Sequence, residues 1–112
     1  MAKDDYFVII YDILSYLYLC LKNGDKVEKA RLYASTYGIS ESYWLYILES
    51  LLEQGYTKGY TITKFEDKVG HSDLKTIQIT PVGIQYLFDD ELLKKAGKEL
   101  RALNSGAKGI SL

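Results

Sequence analysis

Residues 51–87 read LLEQGYTKGYTITKFEDKVGHSDLKTIQITPVGIQYL, and the order of signals inside them decides the fold class. The leucine pair closes a helix predicted over Tyr43–Gln54, where Trp44, Ile47, Leu48 and Leu51 recur at the three-and-four spacing of a buried face and Gly55 supplies the stop. Tyr56–Phe65 is rich in Tyr, Thr and Ile in rough alternation, the composition of a half-buried strand. Glu66–Asp73 is polar and contains Gly70, which reads as a hairpin loop longer than a tight two-residue turn. A second strand is expected over Leu74–Ile79. Thr80-Pro81 then starts a helix by two mechanisms: threonine caps free amide groups, and proline has its φ preset for the first helical position.

Working outward toward the N-terminus, Ile39-Ser40-Glu41-Ser42 offers hydroxyl caps for the helix before Gly55. A second helix is expected over Val27–Tyr37, with Val27, Ala30, Leu32 and Ala34 inward, Lys26, Lys29 and Arg31 outward, and Gly38 as the stop. The first helix, YFVIIYDILSYLYLCLK, is capped by Asp4 or Asp5 and stopped at Asn23-Gly24. It is apolar nearly all round, so it needs cover on several sides, either from its own domain or from a second subunit. Toward the C-terminus, Asp89-Asp90-Glu91 either continue the helix begun at Thr80 or start a new one. Leu92, Leu93, Ala96, Leu100 and Leu103 make an apolar stripe there. Lys94, Lys95, Lys98 and Arg101 suit the negative end of the helix dipole without requiring an anionic ligand. One domain over residues 4–104 is expected, with 105–112 a frayed, small-residue tail.

The expected architecture is α+β: a winged helix, or winged helix-turn-helix, with three N-terminal helices, a two-stranded β-hairpin wing and a C-terminal helical segment. The rival is another small α+β fold with the same element order.

Composition sets outer bounds on function. Fourteen Lys plus Arg against fifteen Asp plus Glu give a net charge of −1, which denies the protein the global basic field of many nucleic-acid binders. A lone Cys20 cannot form an internal disulfide and fits a reducing cytoplasm. The start, Met1-Ala2-Lys3-Asp4-Asp5, lacks the basic end of a signal peptide. The apolar run Tyr6–Leu21 is shorter than the roughly 20 residues that cross a bilayer, and it carries Asp12, so no membrane association is expected.

The YxILxYLY pattern beginning at Tyr11, LLEQGY at 51–56, ITPVGIQYL at 79–87 and LLKKAGKEL at 92–100 together resemble the YjcQ-like proteins of Gram-positive bacteria and their phages. The resemblance spans Asp5 to about Leu103. It implies a winged-helix fold and a cytoplasmic, phage- or prophage-derived protein, and it carries over no catalytic or ligand residues.

Chemistry-bearing groups are few. One His, one Cys and no paired cysteines, HExxH or nucleophile elbow argue against an enzyme, a metal site or a bound cofactor. His71 reads as a solvated loop residue beside Gly70, and Cys20 as a small buried side chain. The glycine spacing matches neither a dinucleotide fingerprint nor a phosphate loop, so no small-molecule ligand is expected.

Two binding readings stand. In the first, a DNA-associated regulator lays its third helix on double-stranded DNA through Ser42, Tyr43 and Tyr46, with Lys58, Lys64, Lys68 and Lys75 along the wing. Against it, no Lys or Arg lies between Glu41 and Thr57, and Glu49 and Glu53 would repel phosphate. In the second, the protein is an interaction module or homodimer, since eleven Tyr and Trp44 in 112 residues exceed what so small a core can bury. Lysines converging beside helix three favour the first reading; a face dominated by Glu49 and Glu53 favours the second.

Overall fold

A computed structural model describes residues 6–103. Asp4, Asp5 and the tail 105–112 lie outside the described residues. Helix α1 covers Tyr6–Asn23, and the short α2 covers Ala34–Tyr37. Next comes α3 at Glu41–Glu53, begun by Ser40, whose hydroxyl accepts from Tyr43 N at 3.2 Å. Four short strands follow: β1 at Thr57–Lys58, β2 at Ile62–Phe65, β3 at Lys68–His71 and β4 at Gln78–Ile79. Helix α4 spans Pro81–Asp89 and α5 spans Glu91–Leu103. The protein is therefore α+β, with two small two-stranded antiparallel sheets, β1–β4 and β2–β3.

The all-round apolar α1 is covered within its own chain. Val8, Ile9, Ile10, Ile13, Leu14 and Leu17 are each at most 2% exposed and join Trp44, Ile47, Leu48, Leu51, Ile77, Ile79, Leu87 and Leu93 in one core cluster. Most of the tyrosines that suggested a partner for α1 are at least half-buried there: Tyr11 is buried, and Tyr6, Tyr16 and Tyr18 pack against the cluster. Among the described residues, no helix is long and apolar enough to cross a membrane.

The segment Val27–Tyr37 is not one helix. Residues 25–28 are irregular, Lys29–Arg31 form a single 3-10 turn, and only Ala34–Tyr37 is α-helical. Side chains of α1 hold this segment in place. Tyr16 Oη accepts from Glu28 N at 2.8 Å, and the Arg31 guanidinium lies 4.4 Å from the Tyr16 ring and 3.6 Å from Asp12. Leu32 and Ala34 are buried as expected, whereas Ala30 is exposed.

The long first strand is also divided. Gly59 adopts φ +90°, and a Cβ there would sit 1.9 Å from the Thr76 carbonyl oxygen, so the chain turns at a point only glycine can occupy. β1 thus ends at Lys58 and pairs with β4, Thr57 opposite Ile79. β2 pairs with β3 from Ile62 opposite His71 to Phe65 opposite Lys68, leaving a two-residue turn at Glu66-Asp67 where an eight-residue loop was expected. Glu66 takes a left-handed φ of +53°. His71 accordingly lies in a strand, exposed, with Nδ1–H donating to the Ser72 carbonyl at 2.6 Å. Leu74–Thr76, expected as strand, is a 3-10 turn capped by Asp73, whose Oδ1 accepts from Lys75 N at 2.8 Å.

Thr80 caps α4 as the sequence predicts: its hydroxyl accepts from Gly83 N at 3.0 Å and donates to the Gly55 carbonyl. A Cβ at Gly83 would lie 2.2 Å from Tyr56 O, so this glycine lets α4 rest on the chain entering β1. The acidic triplet starts a new helix. Asp90 is extended at ψ 126°, and its Oδ1 accepts from Leu93 N at 3.0 Å. Leu93, Ala96 and Leu100 face the core, while Leu92 is 50% exposed and departs from the expected stripe.

Candidate binding surface

The outer face of α3 follows from the inward set Trp44, Ile47, Leu48 and Leu51, since residues three and four apart share a helix side. It presents Ser42, Tyr46, Glu49 and Glu53. Ser42 is exposed, its Oγ 3.2 Å from Ser40 Oγ. Tyr46 is 63% exposed. Tyr43 is half-buried, with part of its side chain packed against the core.

The hairpin is fastened to this helix at two levels. At its root, the buried Tyr60 hydroxyl donates to Leu48 O at 2.6 Å and lies 2.8 Å from Thr57 Oγ1. Removal from water pushes the Tyr60 phenol up to about 12, although the contact with Thr57 opposes this. Higher up, Lys64 Nζ meets Glu49 Oε2 at 2.8 Å. Glu49, with a further contribution from Glu53, raises the Lys64 amine above its ordinary value.

The four wing lysines do not converge. Lys64 stands opposite Val69 and Phe65 opposite Lys68, and successive strand residues point to opposite faces, so Lys64 and Lys68 lie on different sides of the hairpin. Lys58 is exposed on β1. Lys75 sits on the 3-10 turn, where it joins Lys26 and Lys29 around a groove of about 920 Å³. Buried Leu17, Cys20 and Ile77 form the floor of that groove, with Leu21 and Val27 beside them. Lys29 is paired with Asp73 at 3.4 Å; the hydrogen bond from Lys75 N and, less strongly, Lys29 hold the Asp73 carboxyl below its usual range.

Sequence reasoning missed this groove because it assigned Lys26 and Lys29 to the outside of a helix that does not form. It also missed a smaller groove of about 400 Å³, lined by Lys94, Lys95, Lys98 and Arg101 together with Tyr11, Leu87 and Phe88. There Arg101 donates to Tyr11 Oη at 3.1 Å and Lys94 lies 3.6 Å from Glu91. Among the described residues, no cluster of His, Cys, Asp and Glu is arranged to hold a metal ion.

The hairpin also carries apolar side chains in water: Phe65 is 74% exposed and Val69 44%. Among the described residues, the arrangement offers an aromatic and acidic helix face joined to a hairpin with an exposed aromatic side chain. Among known proteins, the family model described as YjcQ protein matches residues 11–105. No curated protein and no solved structure matches the chain.

Proposed function

The chain belongs to the YjcQ family, and from that premise we propose that it is a non-enzymatic winged-helix module that binds a protein partner through α3 and the β2–β3 hairpin, without binding duplex DNA. The element order of three helices, hairpin, closing strand and helices supports the winged-helix assignment. A cytoplasmic location accords with the lone buried Cys20.

One observation carries the reading: the wing lysine nearest α3, Lys64, is already taken by Glu49 at 2.8 Å. In the winged-helix DNA mode, α3 enters the major groove and the wing follows the phosphates. Here the helix brings carboxylates to that position, and its wing cation is engaged with one of them. A phosphate contact through Lys64 would have to displace that ion pair and approach Glu53. Exposed Tyr46, Val69 on the Lys64 side of the hairpin and Phe65 on its other side suit protein contacts instead, because aromatic side chains are enriched at interfaces.

The duplex-binding reading draws on Lys58, Lys68 and Lys75, none of which is ion-paired among the described residues. One titration separates the two. Fluorescence anisotropy of a generic labelled duplex at two salt concentrations is expected to show no salt-sensitive binding up to about 100 µM protein, where non-specific DNA binders are already associated. Binding that weakens steeply with salt and disappears in Lys64→Glu/Lys68→Glu would overturn the proposal.

A further inference from the structure

We infer that the hairpin tip Phe65-Glu66-Asp67 docks into the lysine-lined groove of a second copy of this chain, so that the protein self-associates through tip and groove. The inference rests on the reading of the hairpin as a protein-binding element and names its partner.

The tip is an anchor without a socket. Phe65 leaves 74% of its surface in water at the end of a two-residue turn, the largest exposure among the described large apolar residues. A single exposed aromatic of this size, held on a paired strand, is already fixed in shape and loses little freedom on binding. Two exposed carboxylates follow it, Glu66 and Asp67, and neither has an ion-pair partner among the described residues. Lys68 stands beside Phe65 and leaves the tip with a net charge of −1 over residues 65–68.

The groove is the matching socket. Its floor of Leu17, Cys20 and Ile77 is apolar, and its volume of about 920 Å³ accommodates an aromatic side chain with its neighbours. Three lysines and Asp25 line it, a net charge of +2 from those four residues. Lys29 is held by Asp73, which leaves Lys26 and Lys75 without ion-pair partners among the described residues. Two unpaired cations therefore face an apolar floor, and two unpaired carboxylates flank an apolar anchor.

The contact is between molecules. The Lys64–Glu49 pair fixes the hairpin on α3, and bonds between Ser72 and Thr61 close its root. The tip stands about 13 Å beyond that root at roughly 3.3 Å per strand residue. The groove's own Lys75 and Thr76 lie on the other side of the root, so the tip cannot fold back while the strands stay paired. Because tip and groove are different surfaces, every associated copy still offers one of each, and assembly continues to a closed ring or a chain.

The test is sedimentation velocity of the full chain from about 10 µM to about 1 mM, the weak end of specific affinities, at low and high salt. The expected result is a mass above that of the monomer which rises with concentration and falls with salt. Phe65→Ala is expected to weaken association at least about tenfold, the effect of losing a central anchor. Two charge-reversed proteins make the assignment specific: Glu66→Lys/Asp67→Lys, with tip and groove both basic, and Lys26→Glu/Lys75→Glu, with both acidic. Each alone should remain monomeric, and an equimolar mixture should associate again, which also establishes that both variants are folded. A monomeric wild type at about 1 mM in low salt overturns the inference, as does association that persists in all three variants or a mixture that stays monomeric. Those failures leave the proposed function standing with a different protein partner, whereas salt-sensitive duplex binding would remove that function itself.

Discussion

Replacing Tyr60 by phenylalanine tests how the hairpin is fastened to α3. At neutral pH the change removes the donor to Leu48 O and leaves the Thr57 hydroxyl, 2% exposed, without its 2.8 Å partner. A buried polar group left unsatisfied costs about 1–3 kcal/mol, so Tyr60→Phe is expected to lose about that much stability at pH 8. The gap should then shrink as pH rises. Burial pushes the Tyr60 phenol up to about 12 in the folded protein, from about 10 when unfolded, so its folded value is raised. The stability contributed by the neutral buried phenol is fully present below pH ~10 and is lost as pH climbs toward ~12. One pH unit corresponds to about 1.4 kcal/mol. Between pH 8 and 11 the wild type should thus lose about 1.4 kcal/mol through Tyr60, a loss Tyr60→Phe cannot suffer. Tyr86 is likewise pushed up to about 12 by burial and by Asp90, and Tyr37 is pushed up further by burial and Asp12; both titrate in either protein and cancel from the difference. Urea unfolding followed by the fluorescence of the buried Trp44 at pH 8, 9, 10 and 11 measures the gap. A gap that stays constant across this range would refute the assignment of Tyr60 as a buried donor.

Gly59→Ala should be among the most damaging small substitutions: φ +90° and a Cβ 1.9 Å from the Thr76 carbonyl combine strain with a backbone collision, for a loss of at least about 3 kcal/mol. Thermal unfolding should show it as a melting-point drop of roughly 12 °C or more. Thr80→Ala removes the cap from Gly83 N and the donor to the Gly55 carbonyl, an expected cost of about 1–2 kcal/mol by the same measurement, with Thr80→Ser recovering most of it.

At Ser40, at Thr80 and along α3 the local signals were sufficient. Ser40 and Thr80 cap the helices they were expected to cap, and Trp44, Ile47, Leu48 and Leu51 form the buried side of α3, because capping and helical periodicity depend on residues within one or two turns. Family membership was legible from four short motifs spread along the chain. The segment after α1 was not, since Lys29–Arg31 are shaped by Tyr16 and Asp12, more than a dozen residues earlier in the chain. The hairpin was misplaced for a similar reason. Glu66-Asp67 is not a favoured turn dipeptide and Lys68-Val69-Gly70-His71 lacks strand alternation, whereas in the fold β3 pairs with β2 and lies against α3.

The same division separates the two views of the binding surface. The sequence determined which charged and aromatic residues α3 and the hairpin possess, and that α3 carries no cation. Only the tertiary structure decided how they combine: Lys64 bound to Glu49, Lys68 on the opposite face of the hairpin, and Lys26 and Lys75 brought together from positions 49 residues apart. Charge follows composition, but whether a charge is available to a partner depends on which opposite charge the fold places within about 4 Å of it.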